Sequence, residues 1–465
     1  MKSLLLSSIL CMSLTAAEKP NIVLIMVDDM GYSDIRPWGG EIDTPNIDAL
    51  AKNGLRLTQF YNSARCCPTR ATLMTGLHPH EVGIGHMTGE EAESNKEVPP
   101  AYAGNINDSC VTLAQVAKSA GYATFMTGKW HLTGKDQADW PLQRGFDRYY
   151  GCLAGATHYF EPYGARIMHD GNTPDPAPKS TTDRPFYTTD AFADHARSFI
   201  DDHKSGDGKN KPFFLYLAFT APHWPHHAHD QELEKYRGKY AMGWDKLREQ
   251  RFARQKESGL IPASWEISPR DSEVPAWDSL DETKRKECAD RMSAYAAMID
   301  RVDQKIGDLI DTLKKHDAFD NTLILFLSDN GACAEGSLLG KGDPVKDRAP
   351  KTDLILPSYG KAWANASATP YRLYKHFAHE GGANTPFIAH WPARIKGGRD
   401  WFREPAQLID VMATVADVSG AIYPKEFNGH AVLPADGIPL TPTFDGKPLS
   451  RKQPIFIEHE NNAFV

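Results

Sequence analysis

The sequence predicts an α/β fold: one large, mostly parallel or mixed sheet sandwiched by helices. Three observations predict it. Short, unbroken apolar runs recur along the chain, and such runs read as strands buried on both faces. Segments with helical periodicity separate them, and alternation over this length implies an open, largely parallel sheet covered on both sides. Charged residues follow the runs directly, at Asp28-Asp29, Lys129, His223 and Asp329-Asn330, where ligands collect in sheets of this kind.

Each element has its own signal. The run from Asn21 to Val27 predicts a central strand. Thr44-Pro45 supplies an N-cap and a first-turn proline, and Gly54 the terminator, of the next helix. A further helix starts at Cys66, because Pro68 suits a first turn and an apolar pattern follows at once. Residues 111–120 have helical periodicity, 122–126 form the next strand and 212–219 another. A long amphipathic helix spans 288–315, followed by a strand at 322–327, a strand at 386–390 and a helix at 406–419. Segment 160–190 reads as Pro- and Asp-rich loop, 230–286 as a polar, exposed, helical insertion, and 332–365 as a loop-rich excursion.

A chain of 465 residues holds one large core with appendages, or two domains. The net charge of −8 argues against a nucleic-acid partner and gives no membrane-surface signal. The first residues read as a secretory signal: Lys2, an apolar stretch over 4–14, and Thr15-Ala16-Ala17 as the cleavage site. Cleavage near Ala17 would place the mature protein in the periplasm or outside the cell. That stretch is too short to span a bilayer, and no other segment is long and apolar enough. Cys66, Cys67, Cys110, Cys152, Cys288 and Cys333 are spaced too widely for a small disulfide scaffold, and no C-x-x-C pair suggests zinc. Their pairing stays open.

Asp28 and Asp29 end one strand, and Asp329 and Asn330 end another. Together they make an all-oxygen set, which favours a hard cation, Ca²⁺ ahead of Mg²⁺. An Asp-Asp pair alone also suits a solvated turn or a helix cap. Cys66 falls near a helix N-terminus, where free N–H groups and the dipole favour an anion, and Arg70 adds a cation one turn in. A buried structural cysteine is the alternative. Lys129 and His131, two apart after a strand, are equally a surface turn. His223, His226, His227 and His229 could form a transition-metal tract.

Residues 66–76, Cys-Cys-Pro-Thr-Arg-Ala-Thr-Leu-Met-Thr-Gly, resemble the sulfatase signature, Cys-x-Pro-Ser/Thr-Arg followed by Leu/Met-Thr-Gly, whose cysteine is oxidised to formylglycine. Other matches keep the family's order: Asp28-Asp29, Gly128-Lys129-Trp130-His131, Ala221-Pro222-His223-Trp224-Pro225-His226, Asp329-Asn330, and Lys375 ahead of Glu380-Gly381-Gly382. The resemblance covers roughly residues 20 to 420. It implies an alkaline-phosphatase-like fold and a Ca²⁺ site of Asp28, Asp29, Cys66, Asp329 and Asn330. It implies catalytic roles for Cys66, Arg70, Lys129, His131, His223 and Lys375. Sulfatases often continue Gly-Gly-x-Arg; this chain has Asn384 there, so that arginine contact is missing.

The resemblance also implies hydrolysis of sulfate monoesters, aryl sulfates or sulfated carbohydrate, to alcohol and inorganic sulfate. One hydroxyl of the hydrated formylglycine would attack sulfur, and deprotonation of the other would expel sulfate. His131 would be that base and His223 the acid for the leaving alcohol, while the cation, Arg70, Lys129 and Lys375 neutralise charge. A formylglycine-generating maturation enzyme is the implied partner and a sulfated glycan the implied substrate class. The expected divisions are a signal peptide at 1–17, a catalytic domain at 18–425, and an incomplete C-terminal subdomain at 426–465. A missing remainder of that subdomain would expose apolar surface and an unpaired edge. Trp224, His226 and the loops 78–90, 155–165 and 332–365 are expected around the pocket; His78, His80 and His86 suit substrate contact or surface and capping roles. Two other readings stay open: a phosphonate monoester or phosphodiester hydrolase on the same fold, and a non-catalytic, metal-stabilised binding protein.

Overall fold

The computed structural model describes residues 19–88, 98–133, 136–180, 184–348 and 356–465. The signal-like segment 1–17 lies outside them, as do parts of two expected pocket loops. Among the described residues the main sheet has nine strands, in the order 55–57, 387–390, 322–328, 21–27, 213–218, 123–129, 148–152, 168–170 and 173–175. The five from 322–328 to 148–152 run parallel. Strand 387–390 is antiparallel to both neighbours, and 168–170 and 173–175 extend the far side antiparallel. The sheet is therefore mixed with a parallel centre, as the apolar runs predict.

Alternate side chains of the first strand explain why its run is unbroken. Val23, Ile25 and Val27 enter one core with the helices 188–205 and 282–315, while Ile22, Leu24 and Met26 enter a second with 66–75, 113–119 and 409–419. Each such side chain contributes about 1.5–3 kcal/mol on burial, so neither face tolerates a polar residue. The register sets Val27 beside Ser328, which brings Asp28-Asp29 and Asp329-Asn330 out together at one end of the sheet.

Local chemistry sets the helix limits. Thr112 and Gln115 form a reciprocal capping box on 113–119. Asp281 caps the 282–315 helix by accepting from the Lys284 N–H. Gly76, at φ 71°, ends the 66–75 helix and donates its N–H to the Thr72 carbonyl. The last expected helix begins later than predicted, at Ile409, because Ala406-Gln407 pairs as a short strand with Phe60-Tyr61.

Segment 230–286 is corrected by the structure: it is not an exposed insertion. Its helix 243–257 buries Trp244, Leu247, Arg251 and Gln255. Arg251 is fully buried because Asp34 and Glu41 meet it at 2.6 and 2.8 Å, and Gln255 donates to the Trp38 and Thr369 carbonyls. Charge compensation hides this core face from a hydrophobic pattern. The helix 188–205 and the strands 148–152, 168–170 and 173–175 are additional to the expected elements. Residues 457–459 and 462–464 form a hairpin that packs Ile457 and Phe464 near Tyr61, Ala64 and Ala378. All six described cysteines are free thiols. No helix among the described residues is long and apolar enough to cross a membrane.

Candidate active site

Cys66 opens the 66–75 helix, which is buried along its whole length, and is itself 2% exposed. Its thiol is held well below the usual range, first by the Cys67 thiol and then, against the effect of burial, by the cations of Lys129 and Lys375. Lys129 is the last residue of the strand 123–129, and Gly128 before it lets that strand lie close against its neighbour. Gly128 has φ 107°, and a Cβ there would stand 1.9 Å from the Ala218 carbonyl oxygen. His131 follows, itself in a left-handed conformation at φ 56°, with its ring against Gly155. Burial lowers the His131 imidazole to about 4, so it is neutral at pH 7.

Beneath the thiol lies an ionic cluster. Asp28 Oδ2 accepts from Lys129 Nζ at 2.5 Å and from Arg70 Nη2 at 3.2 Å; Asp329 Oδ2 accepts from the same Arg70 nitrogen at 2.8 Å. Lys375 Nζ lies 2.8 Å from Asp29 Oδ1, and Asn330 Nδ2 donates to that oxygen at 2.7 Å. His223 Nε2 faces Asp29 Oδ2 at 3.6 Å, while His223 Nδ1 bonds to the Trp224 carbonyl. That carbonyl fixes the tautomer, leaving Nε2 to take or give a proton. Burial works against ionisation of Asp28, yet Lys129, His223 and Arg70 keep it below the usual carboxylate range. Burial and the Asp28 charge push Asp329 the other way, well up.

Three carboxylates thus face three fixed cations, Arg70, Lys129 and Lys375. Arg70 has all its bonds inside the cluster, to Asp28, Asp329, the Lys129 carbonyl and Tyr216, so it orients carboxylates from below. The residues present fit a hard cation. Asp28 Oδ1 and Asn330 Oδ1 are buried oxygens without a hydrogen-bond partner among the described residues. The donor set is all oxygen, and burial together with the Asp28 charge raises the proton affinity of Asp329, a load that a cation would relieve.

Above the cluster opens a cavity of about 410 Å³, lined by Cys66, His131, His223, Trp224, Glu335 and Lys375 among others. The structure therefore brings together the ten residues that the family resemblance implies: Cys66, His131, His223 and Lys375 on the wall, with Asp28, Asp29, Arg70, Lys129, Asp329 and Asn330 near or beneath it. Gly155, Ala156 and Ala165 from one expected loop, and Met87 and Thr88 from another, also line it. His226 does not; its ring packs against Tyr295 and Tyr359 at 5.3 and 5.1 Å. His78, His80 and His86 are also absent from the wall, and His80 instead meets Glu458 at 2.7 Å. The histidine tract does not converge on a metal. His227 stacks near His158, and His229 sits 3.5 Å from Asp190.

Among the wall residues that the sequence did not single out are the paired Arg65 and Glu335. Glu335 accepts from Trp224 Nε1 at 3.0 Å and pairs with Arg65 at 2.8 Å. Arg65 could have been suspected from its place beside Cys66; Glu335 comes from the expected pocket loop 332–365, in which no motif marks the individual residue.

This geometry can be set against known proteins. The sulfatase family model matches residues 20–421. An arylsulfatase of Klebsiella aerogenes is 35% identical over 447 residues, covering 94% of each chain. An uncharacterized sulfatase of Schizosaccharomyces pombe is 36% identical over 94% of this chain and 81% of its own. Human N-acetylgalactosamine-6-sulfatase is 27% identical, covering 95% of this chain and 68% of its own. The crystal structure of Ps i-CgsB in complex with k-i-k-neocarrahexaose superposes with a TM-score of 0.66 at 26% identity, over 96% of this chain and 80% of that one. With the family model matched over residues 20–421, a relative 35% identical across 94% of the chain, and a mixed sheet flanked by helices, this chain belongs to the sulfatases, the sulfuric ester hydrolases.

Proposed function

We propose that this protein is an exported, calcium-dependent sulfatase that converts sulfate monoesters, aryl sulfates or sulfated carbohydrates, to alcohol and inorganic sulfate. The observation that carries the reading is Cys66: a thiol at a helix start, at the foot of a cavity, between a neutral His131 and the cations Lys129 and Lys375. Oxidation of Cys66 to formylglycine would supply a hydrated aldehyde, a nucleophile whose second hydroxyl lets sulfate leave. Ca²⁺ held by Asp28, Asp29, Asp329, Asn330 and residue 66 would supply Lewis acidity towards a sulfate oxygen.

The chain's own groups do the rest. Lys375 binds the sulfate from the wall, and Lys129 adds positive potential from below. His131, neutral and beside residue 66, accepts a proton there; His223 delivers one to the leaving oxygen from Nε2. Arg70 keeps Asp28 and Asp329 aligned. Trp224 and Glu335 offer an indole face and a carboxylate to a sugar ring, which favours a glycan. The glycan-bound neighbour and the N-acetylgalactosamine-6-sulfatase relatives point the same way. Residues 1–17 would direct export, 18–425 form the catalytic unit, and a formylglycine-generating enzyme mature it.

The test is mass spectrometry of the Cys66 peptide, from protein made with a maturation enzyme, joined to turnover of matched aryl sulfate and phosphonate esters. An aldehyde mass, faster sulfate cleavage, and loss of turnover in Cys66→Ala support the reading. An unmodified thiol in active protein would sink it, and preferred phosphonate cleavage would move the assignment to the phosphonate hydrolases.

A further inference from the structure

A second cluster of ligand-type side chains lies behind the cavity wall, on the C-terminal hairpin. His376 follows Lys375 directly, and Glu460 with Asn461 forms the two-residue turn of the 457–464 hairpin. His376 Nδ1 stands 3.1 Å from Glu460 Oε2, and His459 Nε2 stands 3.4 Å from Glu460 Oε1. One ring nitrogen from each histidine and one carboxylate oxygen lie within 4.8 Å of one another. The His459 side chain is fully buried, and neither of its ring nitrogens has a well-formed hydrogen bond among the described residues. Its polar neighbours include Glu460, His376, Arg65 and the Gly85 backbone. A buried imidazole of this kind loses its hydrogen bonds to water and is destabilising unless something takes its lone pair.

We propose that His376, His459 and Glu460 bind a divalent transition-metal ion, with zinc the best fit, which staples the C-terminal hairpin to the loop carrying Lys375. Zinc bonds to nitrogen and oxygen of about 2.0–2.2 Å place tetrahedral ligand atoms about 3.3 Å apart. Each imidazole already stands at about that spacing from an oxygen of the Glu460 carboxylate, His376 at 3.1 Å from Oε2 and His459 at 3.4 Å from Oε1. Two imidazoles and one carboxylate, with a fourth position left to water, select zinc or a neighbouring metal over calcium, which the all-oxygen cluster under Cys66 suits. Positive φ at Glu460 and Asn461, 47° and 66°, is what the two-residue hairpin turn requires, and that turn presents the Glu460 carboxylate to both histidines. The hairpin strands are only three residues each, so an added tie has structural consequence.

The competing account is a bare ion pair between His376 and Glu460. The test uses the full chain saturated with Ca²⁺ and carrying Cys66→Ala and Cys67→Ala, since those thiols with His131 form another ligand-type group. Zn²⁺ is titrated by equilibrium dialysis after removal of transition metals, and Co²⁺ replaces it for absorption spectra. His459 is in the core, so the partly exposed ligands are varied: His376→Ala and Glu460→Gln. The expected result is one Zn²⁺ per chain, a tetrahedral Co²⁺ spectrum, and binding at least about tenfold weaker in each variant. Zn²⁺ should also raise the thermal midpoint of the parent and not of the variants. Failure to retain one ion, or equal affinity in parent and variants, overturns the proposal whatever ester the enzyme cleaves.

Discussion

Gly155→Ala isolates the role of His131 without touching its chemistry. A Cβ on Gly155 would stand 2.4 Å from His131 Cε1 and 2.5 Å from Nε2. Carbon contacts settle at about 3.5 Å, so the imidazole must give way by roughly 1 Å. Position 155 is not left-handed, and the loop there is half-buried, so the backbone accepts alanine. A displacement of about 1 Å of a reacting group costs about 10²-fold, or about 2.7 kcal/mol of transition-state stabilisation. The assay is kcat/KM on a chromogenic aryl sulfate, with the fraction of modified Cys66 and the thermal midpoint measured on the same samples. The variant should be equally modified and equally stable, and about a hundredfold slower. Activity within about threefold of the parent, at equal modification, would refute the placement of His131 as the base.

Chelation of calcium should lower the thermal midpoint by about 3 °C and abolish turnover, because Asp28, Asp29 and Asp329 then repel across a buried site. Readdition of Ca²⁺ should restore both better than Mg²⁺; a melt unaffected by chelation would count against the metal site. Asp190→Asn breaks a buried, two-point pair with Arg301, both bonds at 2.7 Å, and should cost about 3 kcal/mol in urea denaturation, with Glu232 partly compensating Arg301. Although burial opposes it, His229 and Arg301 hold Asp190 well below the usual carboxylate range. Its contribution is therefore present above about pH 4 and is lost as pH falls, so the gap between parent and variant should narrow in acid; a gap that widens contradicts the pairing. Gly128→Ala should destabilise the fold by at least about 2 kcal/mol, read as a lower thermal midpoint, because its Cβ meets the Ala218 carbonyl and its φ disfavours any side chain. A soluble, fully active variant would show that Lys129 does not depend on that close approach.

The central strands were legible because both faces of the sheet are covered, which leaves runs such as 21–27 and 322–327 with no polar interruption. The site was legible for a related reason: its carboxylates and lysines follow those strands directly. Glu335 was not, since a loop residue acquires its place on the wall only through Arg65 and Trp224. The helix 243–257 misled because its buried Arg251 and Gln255 are satisfied by partners more than 100 residues away, which no local pattern records. Arg70 was found by spacing, but its position under the carboxylates instead of on the wall needed coordinates.

The strand order also sets a timetable. The Asp29 N–H meets Asp329 across 300 residues, and Lys375 meets Asp29 across 346. Cys66 therefore leaves the ribosome about 260 residues before the strand that closes the site. At about 5–20 residues per second that interval is roughly 13–50 s. For that time the thiol sits on an open chain; afterwards it is buried at the start of a buried helix. Any enzyme that modifies Cys66 races strand closure, and the length of chain between the two is its handicap. A circular permutation bringing strand 322–328 ahead of Cys66 would erase that head start while leaving every contact of the finished site in place.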